Sequence, residues 1–85
     1  MSSWLYISFL VELVGMIEII SNKVQDLRLK SGTTQEEFAE AVGVTRQTVS
    51  AIEKGNYTPS VLLALKIAKF FKQPVEKIFS ISYEK

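Results

Sequence analysis

A chain of 85 residues is long enough for one small domain and no more. It contains neither cysteine nor histidine, which excludes disulfides, thiolate metal sites and catalytic triads that depend on histidine. The formal net charge is +1, but residues 22–85 hold all ten basic residues and seven of the nine acidic ones, a local net charge of +3. Any affinity for a polyanion therefore has to come from a local basic patch rather than from the charge of the whole chain.

Residues 4–20, WLYISFLVELVGMIEII, form an apolar stretch that contrasts with the rest of the chain. Its length is near the lower limit for a membrane span, and Glu12 near its centre would cost roughly 2.5 kcal/mol or more in a bilayer. No basic residue precedes it, which does not fit a signal peptide. The composition favours residues 1–21 as an apolar arm, in helical or strand form, that contributes to dimerisation. The alternative is a translation start assigned too early, with Met16 as the natural first residue.

After this arm, amphipathic segments alternate with short polar breaks, which predicts five short helices. The first spans residues 22–30. The second is opened by a capping box, in which the Thr34 hydroxyl accepts from the Glu37 amide and the Glu37 side chain returns to the cap. Gly43 permits a tight turn, and Thr45 caps the third helix.

Ser60 caps the fourth predicted helix, residues 60–71, and Pro74 is the expected first residue of a fifth that ends at residues 78–79. The residues expected to face the core are Val24, Leu27, Phe38, Ala39, Val42, Val49, Ile52, Val61, Leu65, Ala68 and Phe71. These assignments agree on an all-α domain over residues 22–85.

The most informative segment is residues 35–55, where two predicted helices flank the turn at Gly43 in the arrangement of a helix-turn-helix. Ala39 is small enough for the two backbones to approach. On a helical wheel centred on Val49, the opposite face of the third helix carries Gln47, Ser50, Ala51 and Lys54, with Arg46 at its edge. Glutamine can pair with adenine and arginine with guanine, so this face can read base edges in the major groove of DNA.

This segment and its flanks resemble the phage-repressor and Cro-like (XRE-type) family of helix-turn-helix transcriptional regulators. The resemblance covers residues 22–79. Its motifs follow one another in order: Val24-x-x-Leu27-Arg28, Thr34-Gln35-x-x-Phe38-Ala39, Gly43-Val44-Thr45-Arg46-Gln47-Thr48-Val49-Ser50-x-Ile52-Glu53-x-Gly55, Thr58-Pro59-Ser60 and Pro74-Val75-Glu76-Lys77-Ile78-Phe79. A bare helix-turn-helix pattern is a weak signal, whereas five linked motifs are specific. The resemblance implies an all-α, five-helix, lambda-repressor-like DNA-binding domain with an apolar N-terminal extension.

The resemblance also implies roles for individual residues. Gln35 is expected to contact a phosphate and to brace Gln47. The residues expected to face bases are Arg46, Gln47 and Ser50. The residues expected near the DNA backbone are Thr45, Thr48, Lys54, Asn56 and Tyr57. Arg28 and Glu53 are expected to form a structural pair that ties the first helix to the end of the third.

Three positions depart from the usual family pattern. Asn56 stands where lysine or arginine is common, which removes one expected phosphate contact. Lys72 replaces the glycine expected after the fourth helix, at a small backbone cost. Leu62 stands where a polar residue is common, which suggests a place in a subunit interface.

The resemblance implies a cytoplasmic, sequence-specific transcriptional regulator, a repressor in particular, that binds a palindromic operator as a homodimer with half-sites about 34–36 Å apart. No enzyme activity, cofactor or metal is expected. Double-stranded DNA is the expected partner, a protein partner is left open, and membrane association is not expected. Two alternatives remain: the antitoxin of a toxin–antitoxin pair, and a membrane-tethered or scaffolding module anchored by residues 4–20.

Overall fold

The computed structural model describes Leu5, Ile7 and residues 18–83. Within residues 18–83 the elements are β1 (Glu18–Asn22), α1 (Val24–Lys30), α2 (Gln35–Val42), α3 (Arg46–Glu53), α4 (Val61–Phe71), α5 (Val75–Ile78) and β2 (Phe79–Tyr83). The expected five-helix architecture is confirmed, with a two-stranded sheet in addition. Most of the predicted arm lies outside the described residues, and its end, residues 18–21, belongs to β1. Among the described residues, no helix is long and apolar enough to cross a membrane.

Three helices begin at the caps that the sequence predicts. The Thr34 hydroxyl accepts from the backbone N–H of Glu37 at 3.0 Å, and the Glu37 carboxylate accepts from the backbone N–H of Thr34 at 2.9 Å. The bond from the Thr34 backbone is the main reason that the pKa of Glu37 lies below its ordinary value. Thr45 and Ser60 cap α3 and α4 by accepting from the backbone N–H three residues later. α5 begins one residue later than predicted, because Pro74 is extended (ψ 147°) and precedes the helix as its cap.

The sheet joins the two ends of residues 18–83 and is absent from the prediction of an all-α domain over residues 22–85. β1 and β2 are antiparallel. The register pairs are Glu18–Tyr83, Ile19–Ser82, Ile20–Ile81, Ser21–Ser80 and Asn22–Phe79. The hydroxyls of Ser21 and Ser80, which are 59 positions apart in sequence, lie 3.1 Å from each other. A two-stranded sheet is marginal by itself, so these strands form because the helical domain brings them together.

The sheet shortens the two helices that adjoin it. α1 begins at Val24 rather than at Asn22, because Asn22 ends β1 and its Oδ1 accepts from the Val24 N–H at 3.0 Å. α5 ends at Ile78 rather than one residue later, because Phe79 is extended (φ −116°, ψ 137°) and begins β2. The Lys23 N–H donates to the Ile78 carbonyl at 2.9 Å, which continues the ladder one step beyond the strands.

One hydrophobic core lies between the helices. The core residues predicted in α1, α2 and α3 that are at most 3% exposed are Val24, Phe38, Ala39, Val42, Val49 and Ile52. The ring of Phe38 packs against Phe70 and Phe71 of α4, with both centroid distances at 5.1 Å. This aromatic contact fixes α4 against the helix that precedes the turn.

The buried face of α4 is rotated from the one predicted, and Ala68 alone of the four predicted residues is buried. Its buried residues are Leu63, Ile67 and Ala68. Val61 and Leu65, both predicted to face the core, are 77% and 54% exposed, and Phe71 is only partly buried. Two lysines alone interrupt the apolar sequence of α4, so hydrophobic periodicity cannot tell which face is buried. The helix ends at Lys72, which adopts the left-handed conformation (φ 54°) where the family pattern has glycine.

Candidate nucleic-acid interface

A tight turn joins α2 to α3. Gly43 ends α2 with φ 78°, in the left-handed region that glycine adopts without strain. The Val44 N–H donates to the Ala39 carbonyl at 2.9 Å, which satisfies one of the last carbonyls of α2. Val44 packs against the core, and Thr45 then caps α3. The turn therefore fixes where α3 starts and which of its faces is turned inward.

α3 has one buried apolar face and one exposed polar face. Val49 and Ile52 are 0% and 1% exposed and pack into the core. On the opposite side, Arg46 and Gln47 are exposed. One shallow depression of about 290 Å³ is lined by Arg46, Gln47, Ser50, Ala51, Lys54 and Asn56. Five of the predicted DNA-contacting residues are thus brought together on one surface, which we call the α3 face.

The other predicted contact residues flank the α3 face. Thr45 and Thr48 lie at the start of α3, where the two hydroxyl oxygens are 3.1 Å apart. Tyr57 is 44% exposed in the loop that follows α3. Gln35 is half-buried at the first position of α2. Its Nε2 donates to Oε1 of Glu53 at 2.9 Å, so its brace on Gln47 stays a prediction for the DNA-bound state.

The carboxylate of Glu53 ties three helices together at the end of α3. Arg28 Nε donates to Glu53 Oε2 at 2.6 Å, and Arg28 Nη2 donates to Glu53 Oε1 at 3.2 Å. Arg28 also donates to the Thr33 carbonyl at 2.9 Å, and Gln35 adds its bond from α2. The two side chains of the ion pair are 9% and 2% exposed. The hydrogen bond to Glu53 raises the pKa of Arg28 above its ordinary value, although burial acts in the opposite direction.

Asn22 is a further positioning residue that the sequence reasoning does not identify. Its Nδ2 donates to the Ile52 carbonyl of α3 at 2.9 Å, while its Oδ1 accepts from the Val24 N–H of α1. One side chain thus links the sheet, the start of α1 and the end of α3. Asparagine is common just before a helix, where its side chain accepts from a backbone N–H, so the sequence could have indicated the bond to Val24. The bond from Asn22 to α3 depends on the tertiary structure.

Comparisons with known proteins agree with this geometry. The helix-turn-helix family model matches residues 24–78. YgzD, an uncharacterized HTH-type transcriptional regulator of Bacillus subtilis, is 55% identical over 65 residues, which cover 76% of this chain and 98% of YgzD. The cryptic phage CTXphi transcriptional repressor RstR of Vibrio cholerae is 38% identical over 64 residues, which cover 75% of this chain and 58% of RstR.

A solved structure shares the fold. The restriction-modification controller protein C.AhdI of Aeromonas hydrophila superposes with a TM-score of 0.61 at 27% identity, over 65% of this chain and 83% of that chain. The matched family region spans all five helices and includes both the turn and the α3 face. The chain belongs to the XRE-type helix-turn-helix family of DNA-binding transcriptional regulators.

Proposed function

We propose that this regulator binds a palindromic operator as a homodimer and represses transcription, with α3 of each protomer in the major groove. The observation that carries the proposal is the polar α3 face, which lies opposite the buried pair Val49 and Ile52. A helix of this kind can enter the groove without exposing core residues. Its first turn then meets the base edges. The repressor name of RstR supports repression as the outcome.

Within this proposal, Arg46 and Gln47 read bases, since their side chains are exposed in the first turn of α3. Arginine pairs bidentately with guanine and glutamine with adenine. Ser50 lies one turn later on the same face and adds a shorter polar contact. The residues assigned to the DNA backbone are Gln35, Thr45, Thr48, Lys54, Asn56 and Tyr57.

The end of α3 has a different task, which is to hold the helix at a fixed orientation. Arg28 and Asn22 bind its last two residues from α1 and β1. Because these anchors lie away from the α3 face, they can position the reading residues without competing for DNA. Two protomers held with their α3 helices about 34–36 Å apart would meet successive major grooves on one side of the duplex. Bound there, in the cytoplasm with the DNA, the dimer would exclude RNA polymerase from an overlapping promoter.

A fluorescence-anisotropy titration tests the proposal. The purified chain is titrated against DNA from its own promoter region and against a scrambled duplex, at two salt concentrations. Tighter binding to the promoter, with saturation at two protomers per site and steep weakening by salt, is the expected result. Equal and weak binding to both duplexes would show that this promoter holds no operator for the protein. A selection from random duplexes that enriches no sequence would contradict operator binding as such.

The matched controls remove positive charge from different surfaces. Arg46→Ala removes a cation from the α3 face, whereas Lys69→Ala removes one from an exposed position of α4. The proposal requires that Arg46→Ala weaken promoter binding much more than Lys69→Ala does. Equal effects of the two substitutions would indicate binding through overall charge and would contradict the assignment of the α3 face.

A further inference from the structure

The outer edge of the sheet can be located from one hydrogen bond. The Lys23 N–H donates to the Ile78 carbonyl, which fixes the alternation of bonded and non-bonded pairs along the antiparallel ladder. In an antiparallel ladder the hydrogen-bonded pairs alternate along the register, so the residues of β2 whose backbones hydrogen-bond to β1 are Ser80 and Ser82. The backbone N–H and C=O of Ile81 therefore point away from β1, towards the outer edge of β2.

Charged side chains and prolines are two features that keep an edge strand from pairing with another chain. The β2 sequence, FSISY, contains no charged residue and no proline. Ile81 and Tyr83 are 63% and 59% exposed, and no described residue outside β1 hydrogen-bonds to the backbone of either. An edge with unpaired backbone groups and no charge is a template for a further strand.

We propose that a second copy of this chain docks on the outer edge of β2, so that the two sheets join across a two-fold axis at Ile81. The inference rests on the proposed homodimer and names its interface. Antiparallel pairing around that axis puts Ile81 opposite Ile81 of the second copy, and Tyr83 opposite its Phe79. The Ile81 backbones then exchange a reciprocal pair of hydrogen bonds. Tyr83 N–H donates to the Phe79 carbonyl of the copy, whereas the Phe79 N–H is already bonded to Val75.

The side chains favour a second copy over a charged partner. Ile20 lies opposite Ile81 in the register, so the two side chains share one face of the sheet. Ile20 also lines an apolar groove of about 140 Å³ together with Val61, Ala64 and Val75. Docking extends this apolar row across the axis and covers the exposed side chain of Ile81. Because β2 is uncharged, it meets its own copy without repulsion between like charges.

Sedimentation equilibrium of the purified full chain tests the interface without DNA. Ile81→Lys places two ammonium groups opposite each other across the axis, so the dimer dissociation constant should rise by about tenfold or more. Ile81→Glu should have the same effect through two carboxylates. An equimolar mixture of the two variants should recover the dimer, because lysine then faces glutamate. A variant that had merely lost its fold would not be rescued in this way.

Two further variants complete the design. Ile19→Lys makes the same change at an exposed position of β1 whose side chain lies on the other face of the sheet, so it should leave the dimer constant unchanged. Leu62→Lys probes the competing apolar surface on α4, where Leu62 is 64% exposed. The proposal is overturned by a monomeric wild-type chain, by an Ile81→Lys dimer as tight as wild type, or by a mixture that stays monomeric. Loss of the dimer in Leu62→Lys, with Ile81→Lys unaffected, also overturns it.

Binding of a single operator half-site separates this inference from the proposed function. A monomeric Ile81→Lys that binds a half-site as tightly as the wild type supports both, because Ile81 lies outside the α3 face. A wild-type chain that forms a dimer sensitive to Ile81→Lys, yet binds no selected DNA, supports the interface and contradicts operator binding.

Discussion

The two ends of α3 differ in how they are held. At the C-terminal end, side chains from β1, α1 and α2 bind Ile52 and Glu53, and the charges involved are almost fully buried. At the N-terminal end, Arg46 and Gln47 are exposed to solvent. The turn before that end is fixed by backbone geometry and by the Thr45 cap rather than by the reading side chains.

This difference separates two requirements that a DNA-reading helix has to meet. The helix must keep one orientation, which needs buried and saturated contacts. It must also present groups that exchange water for bases, which needs exposed side chains. Substitutions at the anchored end are therefore expected to change the free energy of unfolding. Substitutions at the reading end are expected to change DNA binding and base preference, with the free energy of unfolding nearly unchanged.

The largest effect is expected from Glu53→Ala. Removal of the carboxylate leaves the buried Arg28 guanidinium without its partner, which should lower the free energy of unfolding by about 3–5 kcal/mol. Urea denaturation measures the change. Replacing both partners together, with Arg28→Met and Glu53→Leu, should cost much less, because no unpaired charge is then left inside. A small loss in Glu53→Ala would mean that the anchored end is not held by this pair.

The reading end gives the next largest effect. Arg46→Ala and Gln47→Ala should each relax base preference at one or two operator positions, by about 1–3 kcal/mol of discrimination. The free energy of unfolding should change by no more than about 0.5 kcal/mol, because both side chains are on the surface. Selection from random duplexes, run beside urea denaturation, measures both quantities. Unchanged preference in both variants would contradict the assignment of α3 as the reading helix.

Asn22→Ala tests a second contact at the anchored end of α3, the bond from Asn22 to the Ile52 carbonyl. It removes the bond from the Val24 N–H at the start of α1 and the bond to the Ile52 carbonyl, and should cost about 1 kcal/mol of unfolding free energy. The loss is moderate because the Ile52 carbonyl also accepts from the Gly55 N–H at 3.0 Å. Asn22→Ser is the control, since its hydroxyl can still accept from Val24 but does not reach Ile52. If Asn22→Ser, which lacks only the bond to Ile52, binds operator DNA as tightly as the wild type, the link from the sheet to α3 has no role in positioning the helix.

The same contrast shows what the sequence could predict. The capping box at Thr34 and the turn at Gly43 depend on residues within five positions of each other, and local chemistry specifies them. The buried pair Val49 and Ile52 follows from helical periodicity, because polar residues surround it in the sequence. Lys72 does adopt the left-handed conformation, as expected of a position where glycine is usual.

The features that the sequence did not predict depend on contacts between distant residues or on ambiguous patterns. The sheet joins strands from the two ends of the domain, and neither strand is long enough to be distinctive. On α4 the sequence predicts Ala68 correctly but misses Leu63 and Ile67, since these compete with equally apolar neighbours such as Val61. The sequence places Asn22 in the first predicted helix, and its contact with α3 is visible only in the folded structure.

Lys54 lies at the anchored end of α3 but belongs to the exposed α3 face, and its substitution gives the smallest expected effect. It follows Glu53 directly and caps α3, yet its side chain is exposed and lines the α3 face. If it contacts a phosphate, Lys54→Ala should weaken binding to all sequences alike and lower the slope of log affinity against log salt by about 1. Unfolding free energy should stay within about 0.5 kcal/mol of wild type, unlike in Glu53→Ala.

Anisotropy titrations over a salt series, with Lys77→Ala as an exposed control on α5, measure the slope. A loss confined to one operator would instead show that Lys54 reads bases, and would extend the reading surface along the whole exposed face of α3.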